Sequence, residues 1–266
     1  MGKTASRGIL RPDRLAIVAS LSGIVILSWF YLWQEAARME SMAMGPGEMA
    51  ATPMSSMPVA SPWGVGLLLP TFLMWTIMMC GMMIPSAAPA ILLYGSIVRK
   101  NRARGSILPS AWIFTAGYLA VWTGFSLAAA LLQAAFDAGA LLTPMMVSDS
   151  AWLSGGLLML AGVYQWLPVK EVCLEKCRVP LQFFLFRWRP GVAGAFRMGF
   201  EHGAFCVGCC WAIMLLLFAV GVMNLLWVAL IAGVVLVEKL LPGGKLAGRL
   251  IGAALVAGGA VVMFRL

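Results

Sequence analysis

The sequence predicts an all-α fold, a polytopic transmembrane helix bundle of about seven spans, and three observations carry that prediction. First, 62% of the 266 residues are hydrophobic and only 11% are charged, and mean hydropathy is +0.92. A soluble domain cannot hide that much apolar surface. Second, the apolar runs are long enough to cross a bilayer and are separated by short breaks rich in Pro, Gly and charge. Third, with the N-terminus placed in the cytoplasm, every Lys and Arg except Arg38 and Arg265 falls on the cytoplasmic side, as the positive-inside rule requires. The net charge of +9 therefore reflects membrane topology and not a nucleic-acid partner. The sequence has no phosphate-binding glycine loop, no Ser-His-Asp set and no basic-aromatic patch.

Residues 1–34 form the first transmembrane unit. Lys3, Arg7, Arg11 and Arg14 precede an apolar run from Leu15 to Trp33. That run is longer than a signal-peptide core and ends in an interfacial belt of Trp29, Phe30, Tyr31 and Trp33, so it reads as an uncleaved helix. Residues 35–62 form an outer loop containing Met39, Met42, Met44, Met49, Met54 and Met57. Thioethers bind Cu(I) and bind Zn(II) poorly; a loop skimming the membrane would have a similar composition. Residues 63–266 make a six-helix bundle. Its first helix, from about Val65, carries Met74, Met78, Met79, Cys80, Met82 and Met83 ahead of Pro85 and Pro89. Methionine stripes usually serve packing, and the prolines are expected to kink or break the helix. The segment stops at Arg99, Lys100, Arg102 and Arg104. Further helices are expected over Leu108–Ala135, Ala151–Leu167, Met198–Val220, Leu225–Leu241 and Leu246–Phe264. The basic stretch Lys170–Arg197 holds Cys173-x₃-Cys177 between Pro168 and Pro180.

The chain is organised around Gly199–Trp211, which contains the one histidine and three of the six cysteines. At about 100° per residue, Met198, His202, Cys206 and Cys209 share one helix face, with Cys210 at its edge. An imidazole and a thiolate one turn apart can reach one ion, and soft sulfur with imidazole suits Cu(I) or Zn(II). Buried cysteines in membrane helices also act as small hydrophobes, but four clustered donors around a lone histidine make that the weaker reading. Cys173 and Cys177 share a face by i,i+4 spacing and sit at the same cytoplasmic end, in a reducing compartment that favours metal binding over a disulfide. Met79 and Met83 fall at the level of His202 and Cys206. The candidate metal ligands are therefore His202, Cys206, Cys209 and Cys210, with Cys173, Cys177, Met79 and Met83 available to complete the set.

Three pieces of sequence carry a resemblance. They are Trp75-x₃-Met79-x₂-Met82-Met83-x-Pro85, Cys173-Leu-x₂-Cys177-Arg178-x-Pro180, and Gly199-x₂-His202-Gly203-x₂-Cys206-x-Gly208-Cys209-Cys210-Trp211. With Gly221-Val-Met-Asn224 and Glu238-Lys239, the chain from about Val65 onward resembles a bacterial family of metal-binding integral membrane proteins, one branch of which resembles copper chaperones associated with polyphenol oxidase. The resemblance implies copper handling as Cu(I), with zinc as the alternative, in the bacterial inner (cytoplasmic) membrane. The implied partners are the lipid bilayer and a copper-dependent protein; self-association stays open. Two other readings stand beside the chaperone. One is a thiol–disulfide oxidoreductase using Cys173/Cys177 and Cys209/Cys210, although neither pair has the usual Cys-x₂-Cys spacing. The other is a copper transporter, in which Glu201 and Glu238 would line a cation path.

Overall fold

The computed structural model describes residues 12–43, 65–102, 111–139, 141 and 150–264. Of the methionines expected in an outer loop over residues 35–62, Met39 and Met42 fall instead in a helix that runs to Ala43, and Met44, Met49, Met54 and Met57 lie outside the described residues. The helices are α1 (Pro12–Ala43), α2 (Val65–Arg102), α3 (Ala111–Ala138), α4 (Ala151–Tyr164), α5 (Pro168–Arg178), α6 (Pro180–Arg187), α7 (Gly191–Met214), α8 (Leu216–Val220), α9 (Leu225–Leu240) and α10 (Gly244–Phe264). No strand occurs among the described residues. Local chemistry sets many of these ends. Pro168 and Pro180 open α5 and α6 at the first helical position, where a missing N–H costs nothing. The Ser150 and Asn224 side chains accept the Leu153 and Trp227 backbone N–H groups and so cap α4 and α9. Gly221, at φ +99°, ends α8 in a conformation that favours glycine.

Five helical segments are long and apolar enough to cross a membrane, and a sixth arises if α4 and α5, bent by 66°, are taken as one broken span. The expected count of seven included α9 and an uninterrupted fourth helix. At 16 residues, α9 rises only about 24 Å, against a hydrocarbon core of about 30 Å. The basic stretch Lys170–Arg197 holds the short helices α5 and α6 and the start of α7, which begins at Gly191 where Met198 was expected.

α2 corrects a second expectation. It runs unbroken through Pro70, Pro85 and Pro89. Proline in a membrane helix is tolerated where neighbouring groups satisfy the backbone around it. The carbonyls that Pro85 and Pro89 leave without an N–H partner are those of Gly81 and Pro85; the nearby Met83 carbonyl accepts the Ser86 hydroxyl at 2.9 Å and the Tyr118 hydroxyl of α3 at 3.2 Å, which joins α2 to α3.

The bundle packs α7 on α3, α3 on α2, α2 on α1 and α4 on α10. The α3–α7 crossing is close because it is made by glycines. A Cβ on Gly199 would run into the Phe114 carbonyl, and one on Gly117 into the Phe196 carbonyl, so small residues let the two backbones touch. Trp75, Met78, Met79, Met83, Phe114, Tyr118 and Phe218 fill the centre. The Trp75 indole N–H donates to Gln133 Oε1 at 2.8 Å, which satisfies two polar groups that lipid could not. Ile26, Leu27, Trp33 and Phe264 stand exposed on the outside, as expected of side chains that face acyl tails.

Candidate metal centre

α7 carries the site because its apolar face and its ligand face coincide. The glycine crossing pins it on α3, which turns His202, Cys206, Cys209 and Cys210 into the protein interior. His202 is 2% exposed and each of these three cysteines 1%. The imidazole is held among aromatic rings, with centroids of Phe183 at 5.5 Å, Phe114 at 6.0 Å and Tyr118 at 6.1 Å. Its Nδ1 is buried without a hydrogen-bond partner among the described residues. Leaving a polar atom so costs about 1–3 kcal/mol, which marks this nitrogen as one that awaits a partner.

The thiols converge. Cys206 Sγ lies 3.0 Å from the Tyr118 hydroxyl and accepts from Lys239 Nζ at 2.8 Å. The Cys209 and Cys210 thiols donate back to the Cys206 carbonyl at 3.1 and 2.9 Å. α5 lies across this group. Its Cys177 thiol interacts directly with those of Cys206 and Cys209. Its Cys173 Sγ abuts Gly208, where an added Cβ would stand 2.8 Å from it. The Tyr164 hydroxyl donates to the Gly208 carbonyl and fixes the end of α4 to the same turn. All six cysteines are free.

Sequence reasoning thus placed the cysteines of α5 and α7 together, and the structure brings them together. Met79 and Met83 are fully buried in the core, but the close neighbour of α7 is α3 and not the helix α2 that carries them. α2 reaches the centre through two polar contacts: the Met83 carbonyl on Tyr118, and the Ser86 hydroxyl, which accepts from Lys239 Nζ at 3.2 Å. Lys239, Tyr118 and Ser86 were not anticipated. The available signal was the Glu238-Lys239 pair inside an apolar run, since ionisable residues at membrane depth mark functional sites by default.

Among the described residues, no three or more His, Cys, Asp or Glu side chains stand ready to enclose a metal ion as they are. The hydrogen bonds explain why. Lys239 and Tyr118 occupy the surroundings of Cys206 Sγ, and Cys209 and Cys210 are turned onto a backbone carbonyl. Side-chain rotation about χ1 would redirect those two thiols without moving α7.

The acidic residues proposed for a cation path are engaged elsewhere. Glu201 meets Arg187, Arg189 and Arg197 at 3.1, 3.4 and 3.4 Å. Glu238 turns away from its neighbour Lys239 and pairs with Lys170 of α5 at 2.7 Å, with both side chains almost wholly buried. Lys170 also donates to Gln165 Oε1. This polar knot ties α5 to α9.

A family model described as PpoB2, copper chaperone, matches residues 72–262, a span that includes every candidate ligand named above. No curated protein and no solved structure matches the chain.

Proposed function

The chain belongs to the PpoB2 copper chaperone family, and from that premise we propose that it is an integral membrane protein that holds Cu(I) and passes it to a copper-dependent partner. The observation that carries the reading is the convergence of thiols from α5 and α7 beside a buried imidazole nitrogen that has no partner. The donor set fits the metal: soft thiolates and imidazole hold Cu(I), while the carboxylates of Glu201 and Glu238, which suit harder ions, are engaged in ion pairs. In this reading His202, Cys206 and Cys209 or Cys210 hold the ion, and Cys173 and Cys177 on α5 stand beside them as thiols that can take the place of one of these as copper is exchanged. Met79 and Met83 add thioethers if α2 contributes. Cys173 and Cys177 are half-buried on a short helix at the edge of the bundle, which suits donors that exchange copper with an incoming protein.

The proposed topology has a cytoplasmic N-terminus and seven crossings in a bacterial inner membrane, with α9 as the short crossing. Its support is that Arg178 of α5 donates to the Leu241 and Pro242 carbonyls just beyond α9. The far end of α9 therefore lies level with the basic α5 and opposite the end at Gly221–Asn224. The transporter reading loses support because Glu201 and Glu238 are neutralised in ion pairs. The oxidoreductase reading needs a thiol pair that cycles, and Cys209 and Cys210 are adjacent and both donate to one carbonyl.

The test is metal analysis of purified protein loaded with Cu(I) under reducing conditions. His202→Ala and Cys206→Ser should each lower copper stoichiometry while the protein stays inserted and monodisperse. Undiminished copper in both variants, with a cycling disulfide seen by thiol alkylation, would replace the chaperone with the oxidoreductase.

A further inference from the structure

Lys239 is a buried ammonium at the centre of the thiol group. It is 6% exposed. Among the described residues its polar contacts are Cys206 Sγ at 2.8 Å and Ser86 Oγ at 3.2 Å, and no carboxylate pairs with it. The nearest carboxylate in sequence, Glu238, is already bound to Lys170. An isolated ammonium buried in a membrane protein is costly. It is retained where something nearby carries negative charge.

The charge count of a loaded site shows what that something is. Cu(I) held by two thiolates carries one net negative charge; held by three, it carries two. Inside a medium of low dielectric an uncompensated charge is expensive, and one ammonium in contact with a ligand sulfur brings the two-thiolate complex to zero. We infer that Lys239 is the internal counter-ion of the copper site and limits it to two thiolates, with neutral donors such as the His202 imidazole completing the shell. The inference rests on the reading of this cluster as the copper site and adds a ligand count and a positioning residue to it. Ser86 and Tyr118 support the arrangement from α2 and α3, one accepting from the ammonium and the other touching the sulfur from a second side. The same count lets Zn(II) be neutral only with three thiolates, so the two metals would require different ligand sets here.

The experiment compares the full-length protein with Lys239→Met, which keeps length and apolarity but removes the charge, and Lys239→Arg, which keeps the charge. Cu(I) affinity is read by competition against a chromophoric Cu(I) chelator, and ligand number by X-ray absorption at the copper edge. Lys239→Met should bind Cu(I) about fivefold to about a thousandfold more weakly, the range set by a unit charge about 4 Å away at an effective dielectric between that of water and about 20. Lys239→Arg should recover most of the loss. The unmodified protein should show two sulfur ligands. Parental or tighter affinity in Lys239→Met would overturn the inference, because the ammonium would then be a bystander or a competitor. So would three sulfurs in the unmodified protein, a result that needs no variant to fold. Cys206→Ser separates the two levels of the argument. If it loses copper while Lys239→Met does not, only the counter-ion fails; if it too binds like the parent, the site itself is elsewhere.

Discussion

The Lys170–Glu238 pair predicts how firmly α5 is held over the thiols. Nζ and Oε2 are 2.7 Å apart and the side chains are 3% and 2% exposed, so neither charge can turn to water. The other polar ties of α5 are Arg178 to the carbonyls of Leu241 and Pro242, and Glu171 to Arg249 at 2.7 Å. These are exposed, and such pairs contribute about 0–1 kcal/mol each. Removing one partner of a buried pair costs about 3–5 kcal/mol because the other charge is stranded. Glu238→Ala strands Lys170, which keeps only Gln165 Oε1, so a loss near 3 kcal/mol is expected. That is roughly a hundredfold increase in the population with α5 undocked, at about 1.4 kcal/mol per tenfold. Maleimide labelling of Cys206 and Cys209, which are each 1% exposed beneath α5, in nanodiscs, followed by mass spectrometry, reads this population directly. Both thiols should label about a hundredfold faster in Glu238→Ala than in the parent, up to the rate of an unprotected thiol. The double change Lys170→Met with Glu238→Leu should restore slow labelling, since replacing both charges by apolar groups is often neutral or stabilising. Parental labelling in the single variant, or a double variant as open as the single, would refute the assignment of the pair as the tie that holds α5.

Gly199→Ala would drive a methyl into the Phe114 carbonyl; separating α3 from α7 should cost about 1–3 kcal/mol, lower the thermal midpoint and reduce copper stoichiometry by displacing His202. Reporter fusions within residues 35–62 should be accessible from outside the cell and those within 169–197 from inside; the reverse would move the thiols to an oxidising face. Under reducing conditions Cu(I) should displace Zn(II) from the protein, as monitored by release of zinc to a colorimetric chelator, because the thiol-rich donor set favours the softer ion.

Long apolar helices and the clustering of His202, Cys206 and Cys209 on one face of α7 were legible in the sequence. Hydropathy is a property of composition, helices are the only way an isolated chain segment can satisfy its backbone in lipid, and the 3.6-residue period alone puts His202, Cys206 and Cys209 on one side. Cys173 and Cys177 were legible as a pair for the same reason. What the period cannot supply is the identity of the neighbour. α7 packs on α3 because Gly199 meets the Phe114 backbone and Gly117 meets the Phe196 backbone, matches between positions 85 and 79 residues apart in sequence. No local pattern records such a match. Nor could local reading show that α2 passes Pro85 and Pro89 without breaking, since the helices it packs against, α1 and α3, override the local preference. The sequence determined that one charged pair, Glu238-Lys239, sits in an apolar run. Only the tertiary structure decided that consecutive residues on α9 point to different places, Glu238 to Lys170 and Lys239 into the thiols. Neighbours on a helix diverge by about 100°, and what each then meets depends on which helices stand on either side.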